Sequence, residues 1–149
     1  MIELEEIKSL DRLMDWRIEV IEHVFDVNPD QSLIEANKNY YRRHIADGSH
    51  LAFVASEGGK EIGCGSICLS EELPSPDNPS GRCSYLMNIY VREEFRNQGV
   101  AHSIVRLLIE KSKEMDCGKI YLETTSEGRP VYESLGFRDM PDMMKLKMN

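Results

Sequence analysis

The chain has 149 residues, 41% of them hydrophobic and 30% charged, with Lys+Arg 18 against Asp+Glu 26 for a formal net charge of −8. That length suits one domain spanning residues 1–149 with its own core, and the acidic balance argues against nucleic acid as a partner. No apolar run nears the roughly 18 residues that cross a bilayer, and the start lacks a basic, then apolar, leader; a cytoplasmic protein without a membrane partner is expected.

Ile2, Leu4 and Ile7 alternate as a short first strand. Ser9 or Asp11 then caps a helix whose apolar stripe runs Leu13, Trp16, Val20, Val24, stopped by Asn28-Pro29-Asp30. A second helix follows Asp30 or Ser32 and carries Leu33, Ala36, Tyr40, Tyr41 and Ile45 as far as Asp47-Gly48. There the period changes to two. Residues 51–56 read as a strand, and Gly58-Gly59 turns it into a second strand over 62–69. Ser70 to Arg82, with Pro74, Pro76 and Pro79, is a long loop.

Residues 85–91 form the next strand, apolar almost throughout, as a strand covered on both faces would be. Helical spacing returns at Val100, Ile104, Leu107, Leu108 and Lys111 and ends at Cys117-Gly118. A strand over 120–124, a short helix from Pro130 to Leu135 and a final strand ending in residues 143–148 complete the chain. Mixed α/β architecture in one layered domain is expected.

The four cysteines, Cys64, Cys68, Cys83 and Cys117, form no C-x-x-C pair. Along a strand, Cys64 and Cys68 stand about 13 Å apart, too far for a disulfide and awkward for one zinc. Small buried hydrophobes in a reducing compartment describe them best. His23, His44, His50 and His102 show no metal-type spacing, and no metal is expected.

The chemistry concentrates in residues 91–101. A strand ends, a polar turn follows and a helix begins at Gly99. Helix starts leave N–H groups unpaired at the positive end of the dipole and attract anions. Gly99 lets a phosphate approach the backbone, and Arg96 and Arg92 are placed to add charge. The other reading is an ordinary strand-to-helix turn. No G-x-x-x-x-G-K-[ST], G-x-G-x-x-G between strand and helix, or G-x-S-x-G is present.

The run Arg96-x-x-Gly99-x-Ala101 resembles the pyrophosphate signature [Q/R]-x-x-G-x-[G/A] of the GNAT superfamily of acetyl-CoA-dependent N-acetyltransferases. Tyr132-Glu133-Ser134-Leu135-Gly136-Phe137 is similar to its downstream Y-x-x-x-G-F segment. The resemblance covers nearly the whole chain and implies a mostly antiparallel central sheet flanked by helices, with a splayed strand pair binding CoA. It implies that the backbone of Ile89, Tyr90 and Val91 pairs with the pantetheine arm. Arg96, Asn97, Gln98, Gly99, Val100 and Ala101 would surround the pyrophosphate, and Tyr132 would protonate the departing thiolate.

The implied reaction is direct attack of a primary amine on the thioester, with the oxyanion held by a strand N–H near Ile89. Acetyl-CoA is the co-substrate, and the acceptor is a small molecule or a peptide. Some members place a carboxylate base where this chain has Tyr85. Glu123 is the best remaining carboxylate, with Asn88 as a water holder; a water chain to solvent is the alternative. Thr125 and Gly128 depart from the asparagine and alanine common there.

The first two helices, with Trp16, Arg17, Tyr40, Tyr41, Arg42 and His44, would wall the acceptor. Residues 70–82 form either a rim or lid over it or a plain hairpin connection. Exposed sheet edges and the apolar final strand are expected to favour a homodimer. The competing readings are an acyl-CoA-sensing domain with little turnover and a protein-interaction module without a ligand.

Overall fold

A computed structural model describes all residues, 1–149. The elements run β1 (Ile2–Ile7), α1 (Leu10–Val24), α2 (Gln31–Ala46), β2 (His50–Glu57), β3 (Lys60–Glu71), β4 (Arg82–Val91), a 3-10 turn (Glu93–Phe95), α3 (Val100–Glu114), β5 (Lys119–Leu122) and α4 (Arg129–Ser134). The strands form one sheet in chain order. Pairing is antiparallel from β1 to β4, and β5 joins β4 in parallel, with α3 as the crossover.

Each face of the sheet carries its own apolar layer. On one, Leu13, Met14, Trp16 and Val20 of α1 and Tyr41 of α2 pack on Ala52, Val54, Cys64 and Tyr90. On the other, Val100, Ile104, Val105 and Leu108 of α3 pack on Phe53, Ala55, Ile62, Ile67, Leu86 and Val91. Full burial of each valine, leucine, isoleucine, phenylalanine or methionine among them contributes about 1.5–3 kcal/mol. Burial on both faces explains why the middle strands read as nearly continuous apolar runs rather than alternating ones.

Local signals set the element ends. The Ser9 hydroxyl caps α1 at the Arg12 N–H, and the Asp30 carboxylate caps α2 at the Leu33 N–H. Gly58 and Gly59, at φ 59° and 81°, make the two-residue turn between β2 and β3. No helix is long and apolar enough to cross a membrane.

Four expectations need correction. The first helix stops at Val24, not at Asn28-Pro29; Asp26 at φ 55° turns the chain out of the helix first, so Val24 lies exposed. The strand expected over 120–124 ends at Leu122, and the Thr124 hydroxyl instead donates to the Thr125 carbonyl. The final strand does not form. Met144, Leu146 and Met148 alternate with Lys145 and Lys147 as a strand would, yet no neighbouring strand pairs with them, and Met144 is 99% exposed. An amphipathic pattern makes a strand only where a partner offers its backbone.

The connection between β3 and β4 is shorter than expected, and it is no lid. Its Asn78 is 2% exposed, with Nδ2 donating to the Arg82 carbonyl at 3.2 Å. The Ser80 hydroxyl donates to the Asp116 carbonyl at 2.8 Å, and Lys119 pairs with Glu72. These ties clamp the loop onto the α3–β5 connection, at the end of β4 opposite Gly99.

Candidate active site

β4 is irregular on one edge and open on the other. Its register with β3 passes from Ser66↔Met87 to Cys64↔Tyr90, so Asn88 and Ile89 together face Gly65. This bulge takes them out of the regular ladder. Asn88 sits at φ 57°, a conformation asparagine tolerates better than most residues, and the Cys64 thiol donates to its carbonyl at 3.2 Å. A side chain at Gly65 would stand 2.6 Å from the Ile104 methyl, so only glycine lets α3 lie against the bulge. On the other edge, β5 pairs with Cys83 to Leu86 alone. From Met87 to Val91 that edge has no strand beside it.

Where β4 ends, the chain turns into α3 through Arg96 (φ −74°, ψ 160°), Asn97 (φ 61°) and Gly99 (φ 83°, ψ 7°). The N–H groups of Asn97, Gln98, Gly99, Val100, Ala101 and His102 find no acceptor within the chain. A Cβ on Gly99 would meet nothing within 4 Å, so open space lies above the helix start. Unpaired N–H groups, the positive end of a 15-residue helix and room beside them suit a phosphate.

Of the two expected cationic helpers, Arg92 is committed elsewhere. Its guanidinium binds both carboxylate oxygens of Glu19 at 2.9 Å, donates to the Glu61 carbonyl and stacks on Trp16 at 4.6 Å. Arg92 is therefore withdrawn as an anion contact. Arg96 donates only its Nε–H, to the Val91 carbonyl at 2.9 Å, and lies over the Tyr90 ring. That bond ties the turn to the strand end and leaves the guanidinium tip exposed and unpaired.

Tyr132 projects from α4 beside Phe137, with ring centroids 5.9 Å apart, and its hydroxyl has no partner in the chain. Burial raises its pKa above the ordinary value of 10 and keeps the phenol protonated at neutral pH. Glu123 lies just past β5. Burial, and then the neighbouring Glu123 carboxylate, push Tyr85 up to about 12. Tyr85, Glu123 and Tyr132 line one groove of about 1080 Å³, flanked by residues 138–146. No three His, Cys, Asp or Glu side chains gather as a metal site would need.

The description "Acetyltransferase (GNAT) family" belongs to a family model that matches residues 10–137. The chain belongs to that family. It is an acyltransferase, and the sheet with its flanking helices is the fold of its structural neighbours. A predicted acetyltransferase from Clostridium acetobutylicum, crystallised with acetyl-CoA, superposes with a TM-score of 0.86 at 24% identity, covering 99% of this chain and 96% of that one. AAC(6')-Iy in complex with the bisubstrate analogue CoA-S-monomethyl-acetylneamine superposes with a TM-score of 0.76 at 17% identity, covering 100% of this chain and 99% of that one. Among curated relatives, glucosamine 6-phosphate N-acetyltransferase of Trypanosoma brucei brucei is 22% identical over 147 residues, 99% of this chain and 96% of its own. Thialysine N-epsilon-acetyltransferase of Sus scrofa is 28% identical over 97 residues, half of this chain and 57% of its own.

The fold gathers the expected residues into two groups. Ile89, Tyr90, Val91 and Arg96 to Ala101 follow the unpaired edge of β4 into the start of α3, while Glu123 and Tyr132 lie in the neighbouring groove. Sequence reasoning missed the hydrogen bonds by which Arg17 of α1 is held to Asn37 of α2 and Asn88 of β4. It also passed over Asn88 as a conformational signal: an asparagine interrupting an apolar strand marks a left-handed residue.

Proposed function

We propose that this enzyme moves an acetyl group from acetyl-CoA to a primary amine of a small molecule or peptide by direct attack. The observation that carries the reading is the run of six unpartnered N–H groups at the start of α3, continuous with the unpaired edge of β4. A diphosphate suits the first and an extended amide-bearing arm the second. Acetyl-CoA supplies the activated thioester.

Backbone N–H groups of Asn97 to Ala101 hold the diphosphate, with Arg96 above them. Ile89, Tyr90 and Val91 align the arm, and the Ile89 N–H donates to the carbonyl oxygen as negative charge develops there. The amine nitrogen bonds the carbonyl carbon while the carbon–sulfur bond breaks. Tyr132 gives its proton to sulfur, and Glu123, directly or through water held by Asn88, takes one from nitrogen. No covalent enzyme intermediate is needed.

Thiol release from acetyl-CoA over a panel of amines, amino acids, amino sugars and their phosphates tests the reaction, with calorimetry on coenzyme A alone as a second reading. Turnover with at least one amine supports it. Absence of coenzyme A binding refutes it, and binding without turnover would favour the sensing domain instead.

Four unpaired cysteines suit a reducing compartment, and cytoplasmic residence belongs to the proposal. So does a homodimer. The outer edge of β5 is unpaired, and Met144, Leu146 and Met148 form an exposed apolar row of strand period. A second copy of the chain, supplying this row as an added strand, covers both. Sedimentation should give twice the 17.1 kDa of one chain and revert to it when residues 143–149 are removed; a monomeric intact chain overturns the dimer.

A further inference from the structure

Arg17 extends from α1 into the space between α2 and β4. Its Nε–H donates to Asn37 Oδ1 at 3.0 Å, and an Nη1–H donates to Asn88 Oδ1 at 2.8 Å. The Phe25 ring covers it at 5.9 Å. Of the five guanidinium N–H donors, the remaining three have no acceptor in the chain. Its charge favours the ionised thiolate or phenolate of Tyr41, Cys64 and Cys68 and disfavours the charged form of His50. None of these is a carboxylate.

Two other arginines against the same sheet face are neutralised by acids. Arg12 pairs with Glu5 and Glu61, and Arg92 with Glu19. Arg17, half-buried, takes part in no ion pair, although the chain carries 26 acidic side chains. A partly desolvated cation without a counter-charge is unfavourable. Two neutral amides from two different elements fix its orientation and leave its charge uncancelled. One of them belongs to Asn88, in the bulge next to Ile89.

We infer that Arg17, oriented by Asn37 and Asn88, is a subsite for an oxyanion carried by the acceptor, so that the amine acetylated here bears a carboxylate or phosphate group. The inference rests on the acetyl-transfer reading for its reaction but on the Arg17 geometry for its selectivity. Guanidinium forks match both anions bidentately. The free donors and the bulge lie on the same residue cluster, so an acceptor gripped here presents its amine to the segment that would hold the thioester carbonyl.

Matched acceptors test it: an α-amino acid against its amide, and an amino sugar phosphate against the free amino sugar. The acidic member of at least one pair should be favoured about 10- to 100-fold in kcat/KM. Arg17→Gln should abolish that preference and Arg17→Lys retain part of it, both with unchanged coenzyme A affinity. Equal rates within both pairs, or a preference that survives Arg17→Gln, overturn the inference.

A readout without turnover guards against poor folding of a variant. Inorganic phosphate or acetate, added to the wild-type protein saturated with coenzyme A, should shift the Arg17 Nε–H resonance in a nitrogen-correlated spectrum. An unmoved resonance overturns the subsite. Failure of the transfer reading looks different: coenzyme A does not bind and no thiol is released, while the same anions still shift the Arg17 resonance of the protein alone.

Discussion

Gly99→Ala isolates the helix start from the rest of the molecule. Gly99 lies at φ 83°, where an L-residue costs about 1–2 kcal/mol, and an added Cβ meets no atom within 4 Å. The whole stability loss is therefore backbone strain, which lowers the melting temperature by roughly 2–8 °C in a chain of this size. Gly48, at φ 77° with nothing within 4 Å, has the same geometry at the end of α2 and is the control. Gly48→Ala should lower the melting temperature by a similar amount.

Only Gly99→Ala should weaken coenzyme A. Either the strain turns N–H groups away from the diphosphate, or the new methyl occupies the space above them. Losing one hydrogen bond to a charged group, about 1.5–3 kcal/mol, raises Kd roughly 10- to 100-fold. Differential scanning fluorimetry and titration calorimetry on the two variants and the wild type provide the comparison. Equal coenzyme A affinity in all three would refute the assignment of the diphosphate to this turn.

Other perturbations follow from the same contacts. Tyr132→Phe should lower kcat about 10²-fold or more with coenzyme A affinity unchanged; because burial raises the phenol pKa, the alkaline fall of the wild-type kcat should come above the range of an exposed tyrosine. Asn78→Ala should cost about 2 kcal/mol in chemical denaturation and leave kcat unaltered, because its loop is a clamp rather than a cover. Gly65→Ala, meeting Ile104 at 2.6 Å, should cost about 1–3 kcal/mol through overpacking beneath the bulge, read as a lower denaturant midpoint.

His50 gives a pH signature. Burial, then His44 and Arg17, bring it from 6.5 to about 4, so the unfolded chain binds its proton first as pH falls. Its contribution is intact above 6.5 and declines to about pH 4, by up to about 3 kcal/mol. His50→Gln should flatten thermal melts across that range; an unchanged slope would show that His50 is not its source.

The sequence disclosed what depends on neighbours in the chain. Period-two alternation placed β1, glycine pairs placed the β2–β3 turn, and Gly99 ahead of an apolar helix marked the start of α3. It concealed what depends on partners in space. Arg92 and Arg96 are alike as letters, yet only the fold puts Glu19 and Trp16 beside the first. The alternating tail was legible as a strand pattern, but a strand needs a second strand, and none stands beside residues 143–148. Arg17 was visible as one of several residues on the first helices; that it is half-buried and tied to amides on two other elements, with no acid to neutralise it, is a fact of three dimensions.

The early parting of β4 and β5 after Leu86 and Leu122 carries a cost in thermostability. Main-chain valences that a sturdier sheet would close on itself stay open, and in the proposed reaction they receive the guest. Substitutions at Glu123 to Thr125 that let the strands zip further would be rewarded in any screen for heat resistance, and on the proposed reading the same variants would shut the slot that takes the thioester arm. Durability and turnover would then compete for one set of backbone atoms.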